Sequence, residues 1–160
     1  MSGVLRWEKG RDTVDALLTA RRMEQVPANR EHAERLIEQA RRHVLSAERV
    51  REDDLELAFS AAYDAARKAL TAVFAIQGLR PTSQGGHVAV SEAARAQFDP
   101  PMGRVVTRFE WMRRTRNAAE YPQIGAPEID VDEVSDAIAS ATQMLDFAVT
   151  VLDVLPPYRK

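Results

Sequence analysis

The segment from Leu55 to Gln77 constrains most strongly what this chain can fold into. Leu55, Leu57, Ala58, Phe59, Ala62, Tyr63, Ala66, Leu70, Val73, Phe74 and Ile76 recur along it at helical rather than alternating spacing. It is the most apolar part of the sequence, and its many alanines let neighbouring backbones approach closely. Asp53 or Asp54 stands before it as a cap, and Gly78 follows where glycine commonly ends a helix. A helix this apolar belongs at the centre of a bundle, covered by its neighbours.

The rest of the chain supplies those neighbours. A short helix is expected over Thr13–Gln25 on Val14, Leu17, Leu18 and Met23, and Pro27 separates it from the next element. Asn29 is a good N-cap, followed by Glu31 and His32, for a helix running to about Arg51. Its stripe is Ala33, Leu36, Ile37, Ala40, Val44, Leu45 and Ala47, with Arg35, Glu38, Arg41, Arg42 and Glu48 on the solvated faces. Leu79–Gly86 reads as a loop by composition, and His87–Phe98 as a fourth helix broken by Asp99-Pro100-Pro101. A fifth helix covers Arg104–Tyr121, residues 122–129 form a Pro/Gly loop, and a last helix runs from Asp132 to about Leu155. No segment alternates with period two, so no sheet is expected. The expected fold is all-α, a compact bundle of about five to six helices. We divide it into an N-terminal segment (1–28) with a short helix, a bundle (29–155) and a tail (156–160). Residues 1–10 give no periodic signal, although Trp7 can pack on the body.

Bulk properties exclude several classes. Net charge is −2 over 160 residues, so anion binding must come from local clustering rather than from the whole molecule. The 45% hydrophobic and 29% charged content suits a globular domain and argues against disorder. The absence of cysteine removes disulfides, thiolate metal sites and a cysteine nucleophile. No HxH, HExxH or clustered carboxylate pattern points to a metal, and no cofactor is expected. The opening MSGVLRWEKGRD lacks the apolar core of a secretory signal, and no run suits a membrane span, so the expectation is a soluble cytoplasmic protein without membrane contact.

The chemistry concentrates in Arg104–Tyr121. Val105, Phe109, Met112, Arg116 and Ala119 share one helix face, which puts Arg116 in line with apolar residues. A guanidinium stays charged at any accessible pH and is costly to bury without an anion. Four residues separate Arg116 from Tyr121, which on an unbroken helix leaves the two side chains roughly 140° apart. Pro122 pushes Tyr121 out of the helical region, so Tyr121 can turn towards Arg116. Asn117 adds an amide beside Arg116, and Glu120 can accept from either. Asp64, in an otherwise apolar stretch, is the expected partner of Arg116. In the plain alternative, Arg116 pairs with a core carboxylate and Tyr121 only covers the helix end. Arg104, Arg108, Arg113 and Arg114 form either a solvated face or, with a second copy, a basic surface for an RNA backbone. Lone histidines are more often surface or capping residues, and His32, His43 and His87 are read so; His87 lies beside Gly85-Gly86, where a ligand can come close. That glycine pair lacks a phosphate-loop pattern and reads as flexible loop.

These residues resemble the signature of the HEPN superfamily, small all-α domains whose motif is an arginine, a polar follower and, after a short spacer, a histidine. Arg116 matches the arginine and Asn117 the follower, while Tyr121 stands where the histidine is expected. Ala61–Leu70 followed by Gly78-Leu79-Arg80-Pro81 resembles the family's central helix and glycine turn, and Gly86-His87-Val88 leads to the helix before the motif. The resemblance covers roughly residues 29–155.

It implies an RNA-linked or nucleotide-linked role. Many such proteins are metal-independent endoribonucleases of toxin–antitoxin or defence systems, homodimers whose motif helices face one another across a cleft. On that pattern Arg116 stabilises the phosphate, while Tyr121, a phenol with a pKa near 10, is a poor general base. Two further roles fit the departure from histidine: a non-catalytic module binding nucleotide, RNA or a protein such as an antitoxin, or the partner of a nucleotidyltransferase that modifies Tyr121.

Overall fold

The computed structural model describes residues 7–159, which form six helices and one short ribbon. In chain order these are α1 (Arg11–Thr19), β1 (Met23–Gln25), α2 (Arg30–Val50), α3 (Leu55–Gln77), β2 (Leu79–Pro81), α4 (Gly86–Phe98), α5 (Gly103–Glu120) and α6 (Val131–Val151). The all-α bundle expected from the sequence is what the chain forms. The expected irregular start at residues 1–6 and the last tail residue, 160, lie outside the described residues. Among the described residues no helix is long and apolar enough to cross a membrane.

The helix α3 is the axis of the fold. The Asp54 carboxylate accepts from the Leu57 N–H at 3.0 Å and starts it; Gly78, at φ 77°, ends it. Fourteen of its 23 residues are buried, and Ala58, Ala62, Ala65, Ala66, Ala69 and Ala72 are fully so. With no side chain larger than a methyl at those positions, α2 lies antiparallel along it, Asn29 meeting Ala75 and His43 meeting Lys68. Helix α6 covers a second flank and α5 crosses a third. Asn29 caps α2 by accepting from the His32 N–H at 2.9 Å, and Asp130 and Glu133 form a reciprocal capping box on α6.

Two expectations are corrected here. The first helix stops at Thr19 instead of Gln25, because Arg21 takes a left-handed conformation (φ 59°) and turns the chain away. Met23–Gln25 then pairs antiparallel with Leu79–Pro81, so a small sheet exists where none was expected. Three residues per strand are too few to display alternation in a sequence. Gly78 makes the pairing possible: a Cβ there would sit 2.5 Å from the Val26 carbonyl oxygen, on a backbone already at positive φ. Gly78→Ala should therefore cost at least about 1–2 kcal/mol, read as a lower denaturation midpoint at unchanged slope; a wild-type midpoint would refute the geometry.

The tail is docked on the body. Tyr158 is 3% exposed; its N–H donates to the Gln77 carbonyl at 2.7 Å and its hydroxyl to Asp15 on α1. Trp7 packs on Phe98, ring centroids 5.8 Å apart, as the sequence allowed.

Candidate functional site

Helices α3, α4 and α5 bring together an aromatic–imidazole pair and three guanidiniums. Tyr63, from the middle of α3, is fully buried and stacks on Phe109 of α5, ring centroids 5.6 Å apart and planes 17° from parallel. Its hydroxyl is hydrogen-bonded to Nδ1 of His87, in the first turn of α4. The Arg116 guanidinium lies over the same tyrosine ring, its carbon 5.6 Å from the centroid. Arg67, one turn along α3, and Arg113, one turn back along α5, act electrostatically on both Tyr63 and His87.

Gly85 is what places His87. A Cβ at Gly85 would run into the Arg22 carbonyl oxygen, so the start of α4 is packed directly against the chain that follows α1. The expectation of a merely flexible Gly85-Gly86 loop is corrected accordingly: Gly85 is buried.

Charge is unevenly distributed around this pair. Arg116 forms an ion pair with Glu120, Nη2 to Oε1 at 2.8 Å, and Arg67 pairs with Asp64 at 3.7 Å. Nε of Arg116 and of Arg113 are buried and have no hydrogen-bond partner among the described residues. Three guanidiniums thus face two partly exposed carboxylates, and two buried donors are left over. That combination has the chemistry to suit an anion of phosphate shape, which offers several acceptor oxygens to planar donors. Burial raises the Tyr63 phenol to about 12 despite the opposing arginines, so it is protonated at neutral pH. Burial, and then Arg67 and Arg116, lower the affinity of His87 for a proton, with Asp64 opposing and Arg113 adding to the depression. His87 is therefore a neutral imidazole at pH 7, half-exposed and adjacent to the arginines.

The residues singled out from the sequence divide into three groups. Arg116, Asp64 and Glu120 lie in the cluster, but the expected Asp64–Arg116 pair is not formed. Asp64 is taken by Arg67 three residues on, and Arg116 by Glu120 four residues on, because same-helix neighbours at those spacings are already in reach. Nor is a core carboxylate the partner of Arg116, since Glu120 is exposed. Tyr121 leaves the helix (φ −124°, ψ 63°), as Pro122 demands, yet its side chain is 78% exposed and does not cover the helix end. Asn117 is exposed on α5.

The four remaining arginines do not act as one surface, because about 100° per residue spreads their positions around the helix. Arg113 joins Arg116. Arg104 and Arg108 turn towards α6 and line a hollow of about 230 Å³ with Asp136, Ser140 and Gln143. Arg108 also lies over Trp111, 5.7 Å from its ring centroid. Arg114 borders a groove of about 570 Å³ with Trp111, Glu56 and Glu133 on a different side of α5. That groove is roomier than the hollow beside α6, but its carboxylates suit an anion poorly; the charge at the Arg116 cluster suits one better. Sequence reasoning did not single out Arg67, and it read His87 as a surface or capping residue beside a glycine pair where a ligand can come close.

The family model of the HEPN domain matches residues 33–152. The chain belongs to the HEPN family. Comparison with curated proteins and with solved structures returns no match. In this HEPN domain the match spans α2 to α6, so the helices that build the Tyr63–His87–Arg116 cluster all fall inside it.

The cluster gives the HEPN domain a pH signature. His87 and His43 are both held below the ordinary value of 6.5, by burial first; for His43 the Lys68 ammonium, 2.9 Å away, comes next. The fold thus favours the neutral imidazoles, and the unfolded chain takes up protons first as pH falls. Their contribution to stability is complete above pH 6.5 and is lost as pH falls through the depressed native values. Thermal melts should show a lower midpoint at acidic than at neutral pH. The difference should shrink in the His43→Gln, His87→Gln double variant; an equal drop in that variant would assign it elsewhere.

Proposed function

We propose that this HEPN domain acts on RNA, gripping a backbone phosphate with Arg116, Arg113 and Arg67 and cleaving the strand as a metal-independent endoribonuclease. One observation carries the reading: three guanidiniums from two helices act electrostatically on a neutral histidine, and two of their buried Nε–H donors have no acceptor among the described residues. As the ribose 2′-oxygen attacks phosphorus, charge builds on the non-bridging oxygens, and guanidiniums held in place stabilise it at the moment it develops. Arg67, His87, Arg113 and Arg116 are partly exposed, which suits a strand passing over them and a second copy meeting this face across α5.

The test is incubation of purified protein with single-stranded RNA in the presence of a chelator. The expected products carry 2′,3′-cyclic phosphate and 5′-hydroxyl ends. Intact RNA combined with salt-dependent binding selects instead the non-catalytic module, on the same arginines.

A second reading rests on a different observation, the 78% exposure of Tyr121. A phenol that accessible, on the exposed turn after α5, suits modification by a nucleotidyltransferase partner acting as antitoxin. Co-expression should then add the mass of a nucleotide to Tyr121, and an unmodified Tyr121 beside an active partner excludes it.

A further inference from the structure

The site has a phosphate grip but, at the motif position, no competent proton acceptor. Tyr121 is mostly exposed, and its hydroxyl makes no hydrogen bond among the described residues. A histidine from α4, His87, meets the same Tyr63 that carries Arg116 on its ring.

Resting on the ribonuclease reading, we infer that His87, oriented by Tyr63, takes over the proton transfer at the Arg116 cluster. The geometry has the parts a positioned base needs. Nδ1 of His87 is engaged by the Tyr63 hydroxyl, and Tyr63 is itself locked by full burial and by stacking on Phe109. In the tautomer that carries hydrogen on Nδ1, this nitrogen donates to the phenol oxygen and Nε2 keeps its lone pair. Tyr63 is thus a positioning residue and His87 the catalytic one.

The step balances without a co-reactant other than water. Nε2 of His87 removes the 2′-hydroxyl proton as the 2′-oxygen bonds to phosphorus and the bond from phosphorus to the 5′-oxygen breaks. The 5′-oxygen leaves with that electron pair and takes a proton from water, and the hydroxide formed accepts the proton held on His87. Cyclic phosphate and a 5′-hydroxyl remain, with the imidazole neutral again.

The surrounding charges couple this base to its substrate. Tyr63, Asp64 and Arg67 face His87 from α3, and Arg113 and Arg116, the latter paired with Glu120, face it from α5. With the site empty, the three arginines oppose a fourth positive charge. A bound phosphate offsets them, so the imidazole accepts a proton more readily once the anion is in place. A plain helix-start role for His87 leaves this coupling unexplained.

The experiment compares wild type, His87→Ala and His87→Gln for cleavage and for affinity towards an uncleavable 2′-deoxy analogue. Both variants should cut about 100-fold or more slowly while binding the analogue as wild type does. Added imidazole should restore much of the His87→Ala rate, which a structural role would not allow. In wild type, the NMR-detected pKa of His87 should rise on addition of inorganic phosphate. Cleavage by His87→Gln at the wild-type rate overturns the assignment and leaves the ribonuclease reading intact, as does loss of cleavage that imidazole cannot restore in a variant of wild-type affinity. A wild-type protein that binds RNA but never cuts it overturns both. If His87→Ala does not fold, His87→Gln and the wild-type phosphate titration decide the matter, and an unmoved His87 pKa with phosphate bound counts against it.

Discussion

Arg116→Ala is expected to slow RNA cleavage by about two to three orders of magnitude, the usual consequence of removing one donor aimed at developing oxyanion charge. Folding should survive. The side chain is only partly buried, its ion pair with Glu120 is an exposed i,i+4 interaction, and its approach to the Tyr63 ring is a single cation–π interaction. Together these contribute on the order of 1 kcal/mol, partly offset by release of a buried Nε–H that has no partner among the described residues. For a chain of this size the melting temperature should fall by no more than about 2–4 °C. Arg116→Lys should recover little of the rate, because an ammonium keeps the charge but not the planar donor pair. A large loss of stability with cleavage per folded molecule unchanged would make Arg116 a structural residue.

The largest stability effect belongs to Tyr63. It is the largest of the fully buried side chains, it stacks on Phe109, and it carries both Arg116 and His87. Tyr63→Ala should cost about 3–5 kcal/mol, the range for removing a buried aromatic ring from a packed core, and chemical denaturation reads it directly. Tyr63→Phe keeps the ring and should cost only about 0.5–1.5 kcal/mol for the missing hydrogen bond. It should nevertheless slow cleavage, since His87 is then no longer held. Equal losses of stability in the two variants would mean that the ring contributes little and that α3 is held to α5 by other residues.

The helices were legible because their signals are local. Asp54, Gly78 and Asn29 sit where capping chemistry requires them, and the apolar stripes of α2, α3 and α6 repeat over five or more turns. The ribbon was not legible, since its register depends on a left-handed Arg21 and on Gly78 closing against Val26, where distant parts of the chain meet. The site was half legible. Arg116 stood out because a charge on an apolar face is an anomaly within one helix. Glu120 was legible as an acceptor within its reach, but Asp64 was expected as its partner, because the sequence cannot rank an intrahelical Glu120 against a cross-helix Asp64. Arg67 and His87 left no anomaly in their own segments. They become site residues only when α3 and α4 pack against α5, and no one-dimensional pattern records that packing.

Whether Arg67, Arg113 and Arg116 together hold an RNA phosphate is tested most directly by the salt dependence of binding. Affinity for an uncleavable single-stranded oligonucleotide is measured across a range of salt concentrations, for wild type and for the variant with all three arginines changed to alanine. Each phosphate that is no longer neutralised should flatten the log–log plot by about 0.7. Because the three arginines share one phosphate, the triple variant should bind more weakly, with a slope shallower by about 0.7. Wild-type affinity and an unchanged slope in a folded triple variant would contradict a phosphate grip by these arginines.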